Sequence, residues 1–465
     1  MGHALGLEAG DAGLLAVAEG GAVFGPSPAV AIVEAGRLRF GEEALAACRL
    51  LPRQVASDFW ARLDGEPVGP LFPVDLRSAD LVHGHLETLW AKARARTSEV
   101  LLAVSGGYDE RQLGVLVGIT QELGIPVSGM VDSAVAAASA GFAGERLLHV
   151  DLGQRRGVVT EIRQGASLVR ERVAAIDRWG ADEVVDAEVH GAAEMFVKQA
   201  RFDPLHDATT EQALFDRLPG WLAALERVDQ LAVALPVAGR QVETALTRAQ
   251  AEAWTARFAE ELQQQVSVLK HTGEPTSVLV SARAARLPGF VARLREVRGV
   301  EVALLGVHAA AAGALRAKDR VRSAPGALRR VTRLPRPEAP DASSFGAAVL
   351  LPPTPKAVPL ASGRRPTHLL LDNVAHAITA EPLVVGTAPP AGARRLPLAG
   401  ETAGVSRSHC RVFESAGQAV VEDLSSWGTF VNGERVAGRA VLAAGDRVRV
   451  GSPGIELVLI ASGGE

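Results

Sequence analysis

The chain has 465 residues, 48% of them hydrophobic and 22% charged, and a formal net charge of −4. That length is enough for two to four domains, and the composition is that of a globular protein rather than a disordered or fibrous one. The slightly acidic balance offers no electrostatic footprint for nucleic acid or an anionic membrane, and two distant cysteines, Cys48 and Cys410, form neither a disulfide framework nor a zinc pattern.

The first residues, MGHALGLEAGDAG, lack the basic and apolar regions of a secretory signal, and Gly6 stands where a myristoylation signal needs Ser or Thr. No apolar run is long enough to cross a bilayer, so a cytoplasmic protein is expected. Short apolar runs (VLLAV, LLHVDL, SVLVS, VEVALLG) predict strands. The longer stretches ATTEQALFDRLPGWLAALERVDQLAVAL and RAQAEAWTARFAEELQQQVSVLKH carry helical periodicity. Residues 1–320 therefore read as one large α/β region. Nine of the 26 prolines fall between Pro325 and Pro366, among many Lys and Arg, which predicts an extended basic linker over 321–365. Within it Thr332 follows Arg329 and Arg330 at a spacing that basophilic kinases accept. A phosphate there would make the linker a ligand for a recognition module in the same chain; the plain reading is an unmodified residue in a basic run. From 366 to 465, short strands alternate with Gly, Pro, Asn and Ser turns, as in a small β-sandwich.

In that last region the segments LVVGT, SRSHCRV, VVEDLSSWGTFVNGERV and LAAGDRVRVG follow one another. Together they resemble a forkhead-associated (FHA) domain. The resemblance implies an eleven-stranded sandwich that reads phosphothreonine with its loops. A phosphate needs several strong donors on a rigid frame, and loops between packed strands supply one. On this reading Ser406, Arg407 and Ser426 face the phosphate and Asn432 bonds the peptide main chain, while His409 and Gly428 hold the loops in shape. Each Ser has the alternative of bonding its own backbone in a turn. Two departures stand out. Gly386-Thr387 replaces the family's Gly-Arg, with Arg394 and Arg395 in the next loop as candidate substitutes, and Trp427 replaces an Asn.

Upstream, GPSPAVAI and GRLRFGEEAL, then VLLAVSGGYDERQLGVLVGITQELGIPVSGMVDSAVAAASA, LLHVDLG, SVLVSARAARLPGFVARLREV and ALLGVHAAAAGAL occur in order. They resemble the landmarks of the nucleotide-binding domain of heat-shock chaperones of the DnaK type, in the actin-like ATPase superfamily. The fold class implied for the whole chain is thus an α/β two-lobed actin-like ATPase fold plus an all-β FHA-type sandwich. The lobes would close on ATP or ADP with magnesium, using Glu8 and Gly10 on a first hairpin, Asp132, and Asp151 and Gly153 on a second.

Hydrolysis needs phosphate-loop hydroxyls, glycines that let backbone N–H groups approach, and a lysine. Here Glu8–Gly13 has no hydroxyl, and Arg155 and Arg156 stand where small residues belong. Ala61 stands where the lysine belongs, and Ser281–Pro288 has no paired glycines. The expectation is a frame without catalysis: no catalytic residue, no metal ligand set, not an enzyme. Asp132 and Asp151 have capping or turn duty as an equal reading. Arg155 and Arg156 either pair with carboxylates and close the cleft or hold an anion. The two resemblances together imply a cytoplasmic adaptor or scaffold whose partner is a phosphothreonine-containing or other protein, with no nucleic-acid or membrane partner. The alternative is an ATP-binding switch or slow ATPase using Glu8, Asp132 and Asp151.

Overall fold

A computed structural model describes residues 3–461 except 20, 35, 238, 272–274, 325–327, 338–365, 372–373, 391, 399–404, 416, 426–427, 433, 437 and 451–454. The chain folds as two units, Met1–Pro352 and Pro353–Glu465.

In the first unit β1 (His3–Gly10), β2 (Gly13–Ala18) and β3 (Gly21–Ser27) form an antiparallel meander. A small sheet of β4 (Ala31–Glu34), β5 (Arg37–Phe40) and β6 (Val55–Ala56) follows, with the short helices α1 (Glu42–Leu45) and α2 (Phe59–Arg62). Then α3 (Ser78–Ala93), β7 (Thr97–Val104), α4 (Glu110–Glu122) and β8 (Val127–Asp132) add two parallel strands, giving the order β3-β2-β1-β7-β8. The helix α5 (Ser133–Ala138) ends this half.

The second half repeats the plan. Its meander is β9 (Arg146–Leu152), β10 (Arg156–Gln164) and β11 (Ser167–Asp177). An insertion follows, made of α6 (Ala181–Ala200), α7 (Ala208–Leu225) and the hairpin of β12 (Gln230–Val237) with β13 (Arg240–Thr247). After α8 (Arg248–Leu269) come β14 (Thr276–Val280), α9 (Phe290–Glu296) and β15 (Val300–Leu304), and the order is β11-β10-β9-β14-β15. Parallel neighbours need a crossover, which the helices provide, and strands covered on both faces are apolar throughout. All five residues of β14 are buried, as this predicts.

The helix α10 (Ala309–Arg316) occupies the place in the second half that α5 has in the first, and α11 (Lys318–Val321) follows it. Each of the two crosses to the other half. Ala134–Ala138 of α5 pack with Leu147, Ile162, Leu168 and Leu279 of the second sheet, and Ala311 and Ala312 of α10 pack with Leu15 and Val17 of the first. Where they meet, a methyl on Gly313 would overlap the Ala136 carbonyl oxygen. Only small side chains permit that approach, which accounts for the Ala-rich runs at both positions.

Proline and arginine content predicts a linker from 321, and here the structure differs. Arg330–Val331 form β16, parallel to β8 on the edge of the first sheet, and Arg333–Pro335 form β17, antiparallel to β11 on the edge of the second. The cause is the apolar residues between the arginines: Leu334 is buried in the core between the sheets, with Val331 packed against it. The Thr332 carbonyl accepts from the Arg170 N–H at 3.0 Å, so Thr332 belongs to a paired segment and not to a free tether.

The second unit is an all-β sandwich, with eleven strands among the described residues. They are β18 (His368–Leu371), β19 (Val374–Ala377), β20 (Leu383–Gly386), β21 (Arg394–Pro397), β22 (Cys410–Ser415), β23 (Gln418–Asp423), β24 (Thr429–Val431), β25 (Glu434–Arg435), β26 (Arg439–Leu442), β27 (Arg447–Val450) and β28 (Ile455–Ile460). One sheet has the order β19-β18-β28-β27-β24-β25 and the other β21-β20-β22-β23-β26. Leu369, Val385, Cys410, Val412, Val421, Val448 and Leu457 fill the space between them. Among the described residues no helix is long and apolar enough to cross a membrane.

Candidate functional site

The cleft of the first unit lies where the β1–β2 and β9–β10 turns meet. Its cavity of about 30 Å³ is lined by Glu8, Gly10, Asp11, Ser105, Tyr108, Ser133, Asp151, Gly153 and Arg156. That is room for about two water molecules. Four of the five residues expected at a nucleotide, Glu8, Gly10, Asp151 and Gly153, line it together; Asp132 does not.

Arg283 bridges two of the lining carboxylates. It stands in the loop after β14, and its Nη2 donates to Glu8 Oε1 at 2.6 Å and to Asp151 Oδ1 and Oδ2 at 3.0 and 2.9 Å. Burial alone would raise the Asp151 carboxyl, but the two-oxygen contact with Arg283 holds it well below its usual value. Glu8 lies above its usual value because burial and the neighbouring Asp151 charge outweigh its single contact with the guanidinium. One cation thus serves two acids, Glu8 buried and Asp151 partly so.

The two turns also bond directly. The Asp11 carbonyl accepts from Gln154 N–H at 2.8 Å. Asp11 Oδ2 accepts from the N–H groups of Arg155 and Arg156, both at 3.0 Å. Two successive backbone N–H groups of a turn make an anion-binding concavity, and here the chain's own carboxylate fills it. Gly153 permits the contact, since a Cβ there would strike the Asp11 carboxylate. Asp11 Oδ1 is buried with no partner among the described residues. Burial pushes the Asp11 carboxyl up to about 7, against the pull of the two N–H groups and Arg156.

Of the two readings open for the Arg155 and Arg156 side chains, the structure shows the pairing with carboxylates. Arg155 Nη1 pairs with Asp182 and Glu183 in the first turn of α6, at 3.3 and 2.8 Å, and Arg156 Nε pairs with Asp177 at 2.6 Å. Their backbone N–H groups meet Asp11 at the cleft, and Arg283 spans the two lining carboxylates Glu8 and Asp151. Asp132 is a capping residue: its Oδ1 accepts from Ala134 and Val135 N–H at the start of α5, and its Oδ2 pairs with Arg170 at 3.0 Å. Ala61 is buried in α2. At the outer end Arg49 reaches Asp186 at 2.6 Å, and its N–H donates to Gln212 Oε1 at 2.8 Å, joining the small β4–β6 region to α6 and α7. No group of three or more His, Cys, Asp or Glu side chains able to hold a metal exists among the described residues. In this arrangement the residues present do not fit a nucleotide with magnesium, because Arg283 occupies the space between the carboxylates that would face it.

In the second unit, register brings three segments to one end of a sheet. Val385 pairs with Cys410, and Cys410 with Asp423, so the residues after Gly386, before Cys410 and after Asp423 are neighbours. Thr387 and Ala388 N–H groups donate to the Ser406 and Arg407 carbonyls at 3.1 and 3.0 Å. His409 is fully buried and staples two of the loops: Nδ1 accepts from Ser406 N–H and Nε2 donates to the Gly428 carbonyl, both at 3.1 Å. Burial lowers its pKa, which keeps the ring neutral in that tautomer. Asp423 organises the third loop, accepting from Ser425 N–H, the Ser425 hydroxyl and the Thr429 hydroxyl at 2.7–3.0 Å. Arg407 is exposed. Ser426 and Trp427 lie outside the described residues.

Two expectations shift. Asn432 is at the far end of β24, about 10 Å along the strand from Thr429. It adopts a left-handed φ of 51°. Its Nδ2 donates to Asp446 at 2.8 Å and its Oδ1 accepts from Arg447 N–H at 3.0 Å, so its amide shapes a turn. Arg394 pairs in register with Leu383, three residues before Gly386. Its guanidinium donates to Thr379 Oγ1 and the Ala377 carbonyl, both at 2.7 Å, which rules it out as the stand-in for the family's arginine in this arrangement. Sequence reasoning missed Arg283 and the nest-filling role of Asp11. The available signals were an arginine where a glycine-rich loop is expected and an acid in a turn that should carry hydroxyls.

No curated protein matches the chain. Residues 390–451 match the family model of the FHA domain, whose members generally bind phosphothreonine-containing proteins. The second unit therefore carries an FHA domain, a phosphoprotein-recognition module.

Proposed function

We propose that the chain is an adaptor. Its FHA domain selects a phosphothreonine-containing partner through the Ser406–Arg407 loop, and the first unit is a chaperone-like ATPase frame that has lost catalysis. The observation that carries this reading is the contrast in charge use. In the cleft, Glu8 and Asp151 share Arg283 and Asp11 fills its own anion nest. On the FHA loops Arg407 is exposed. The paired hairpins and the two sheets with helices are what supports reading the first unit as such a frame. The rival, an ATP-binding switch or slow ATPase, requires Arg283 to leave both carboxylates.

The test is calorimetry of the full chain with a phosphothreonine peptide library and, separately, with ATP and magnesium. Phosphopeptide binding lost in the Ser406→Ala, Arg407→Ala double variant, with no ATP turnover, is the expected result. A charge-assisted hydrogen bond contributes about 1.5–3 kcal/mol, so each lost contact weakens binding about tenfold or more. ATP turnover abolished by Asp151→Asn would overturn the loss of catalysis. Tight binding that survives the double variant would place recognition elsewhere.

A further inference from the structure

The segment read from sequence as linker is bonded to both halves of the first unit. Val331 pairs with Val131 of the first sheet, and three residues later Leu334 pairs with Leu168 of the second. Between them the Thr332 carbonyl accepts from Arg170 N–H, while the Arg170 side chain pairs with Asp132 at the end of the first sheet. Leu334 is 1% exposed and sits in the core that the two sheets share. The segment also reaches the cleft. Arg330 Nη1 donates to the carbonyls of Ser105 and Tyr108 at 3.1 and 2.9 Å. Both residues line the cleft cavity, and the Tyr108 ring lies beside Gly10 at the first turn.

The geometry points to residues 330–335 as a clasp, so that opening the cleft and releasing this segment are one event. If the halves rotate apart about the crossing of α5 and α10, the edges joined by β16 and β17 separate. Strands of two and three residues have few ladder bonds with which to follow. If the clasp peels first, the turn at 105–108 loses the guanidinium that fixes two of its carbonyls, and the cleft loses one of its walls. Short paired segments at a sheet edge belong to the low-stability end of a native structure, where openings precede global unfolding. Coupling of two sites is reciprocal, so loosening either end must loosen the other by the same factor. The inference does not depend on whether the cleft once hydrolysed ATP or on what the FHA domain binds.

Hydrogen exchange on the full chain tests it. Two peptides report: 167–171, which contains the Arg170 amide bonded to the clasp, and 153–157, which contains the Gln154, Arg155 and Arg156 amides bonded to Asp11. Leu334→Ala should raise exchange in the first by about tenfold or more, and in the second by the same factor. Arg330→Met, which keeps the stem and removes the donors, should raise both with less loss of fold and serves if Leu334→Ala does not fold. Leu218→Ala, a hole in the separate core of the α6–α7 insertion, controls for general destabilisation and should leave both peptides within about twofold of wild type. Asp11→Ala should raise the 167–171 peptide from the other end. If peptide 167–171 responds to the clasp variants while 153–157 stays within about twofold of wild type, the two events are independent and the inference fails.

Discussion

The cleft of the first unit and the loop end of the FHA domain are both built from turns between strands, and both carry arginines, serines and acids. They differ in where those groups point. In the cleft the charges face one another: Arg283 spans Glu8 and Asp151, and Asp11 fills the concavity of the opposite turn. At the FHA end the buried His409 and the half-buried Asp423 hold loops in position while Arg407 stays exposed.

The sharpest way to break this contrast is to remove the shared cation. Arg283→Ala leaves the buried Glu8 and the partly buried Asp151 without their cation; losing one partner of a fully buried pair costs about 3–5 kcal/mol, which is the upper bound here. Calorimetric unfolding should show that loss in the first unit, with much of it restored when Glu8→Gln and Asp151→Asn accompany the change. A small loss would mean that the cleft is wetter than its geometry suggests.

Next in size is the titration of Asp11. Its carboxyl is raised to about 7 in the fold, so the folded state holds a proton that the unfolded chain releases near pH 4. The stability this contributes is fully present below that ordinary value and is lost as pH rises through about 7, by about 4 kcal/mol at most. Asp11→Asn keeps the acceptor for both N–H groups and removes the titration. Denaturant midpoints measured from pH 5 to 7.5 should fall for the wild type relative to this variant, and parallel curves would refute the assignment.

The FHA loops should respond in the opposite direction. His409 has a lowered pKa, so its contribution is fully present above about pH 6.5 and is lost as pH falls through the lower folded value. His409→Ala leaves the Gly428 carbonyl and the Ser406 N–H without partners, a loss of about 1–3 kcal/mol. Thermal unfolding of the second unit at pH 7.5 and 5 checks both points. The smallest effect belongs to Asn432→Ala: about 1 kcal/mol of stability, with phosphopeptide affinity unchanged. A clear drop in affinity would return Asn432 to the binding face.

How much of this the sequence discloses depends on the range of the interaction. The FHA loops are legible because their residues lie close in the chain: Ser406 and His409 are three apart, and Asp423 and Thr429 six. The capping duty of Asp132 is equally local. Arg283 and Glu8 are 275 residues apart, and no local pattern couples them. The clasp was misread for another reason. Strands of two and three residues are too short to show period-two alternation, and prolines and arginines outnumber the two apolar residues that decide the outcome. For Asn432 the residue type suits a peptide contact and a left-handed turn equally well, and no local pattern announces its bond to Asp446, fourteen positions on.

The crossing of α5 and α10 bears on which parts of the first unit can accept substitution. At Gly313 the two halves are spaced by peptide planes rather than by side chains. The smallest increment a coding change can add there is one methyl group, and that already exceeds the gap. Drift at this contact therefore has no small steps available to it. The cleft residues meet instead through long side chains with many rotamers, where an acid or an arginine can be exchanged and the neighbours readjust. A scaffold with a rigid pivot and an adaptable mouth accepts change at the mouth before it accepts change at the pivot.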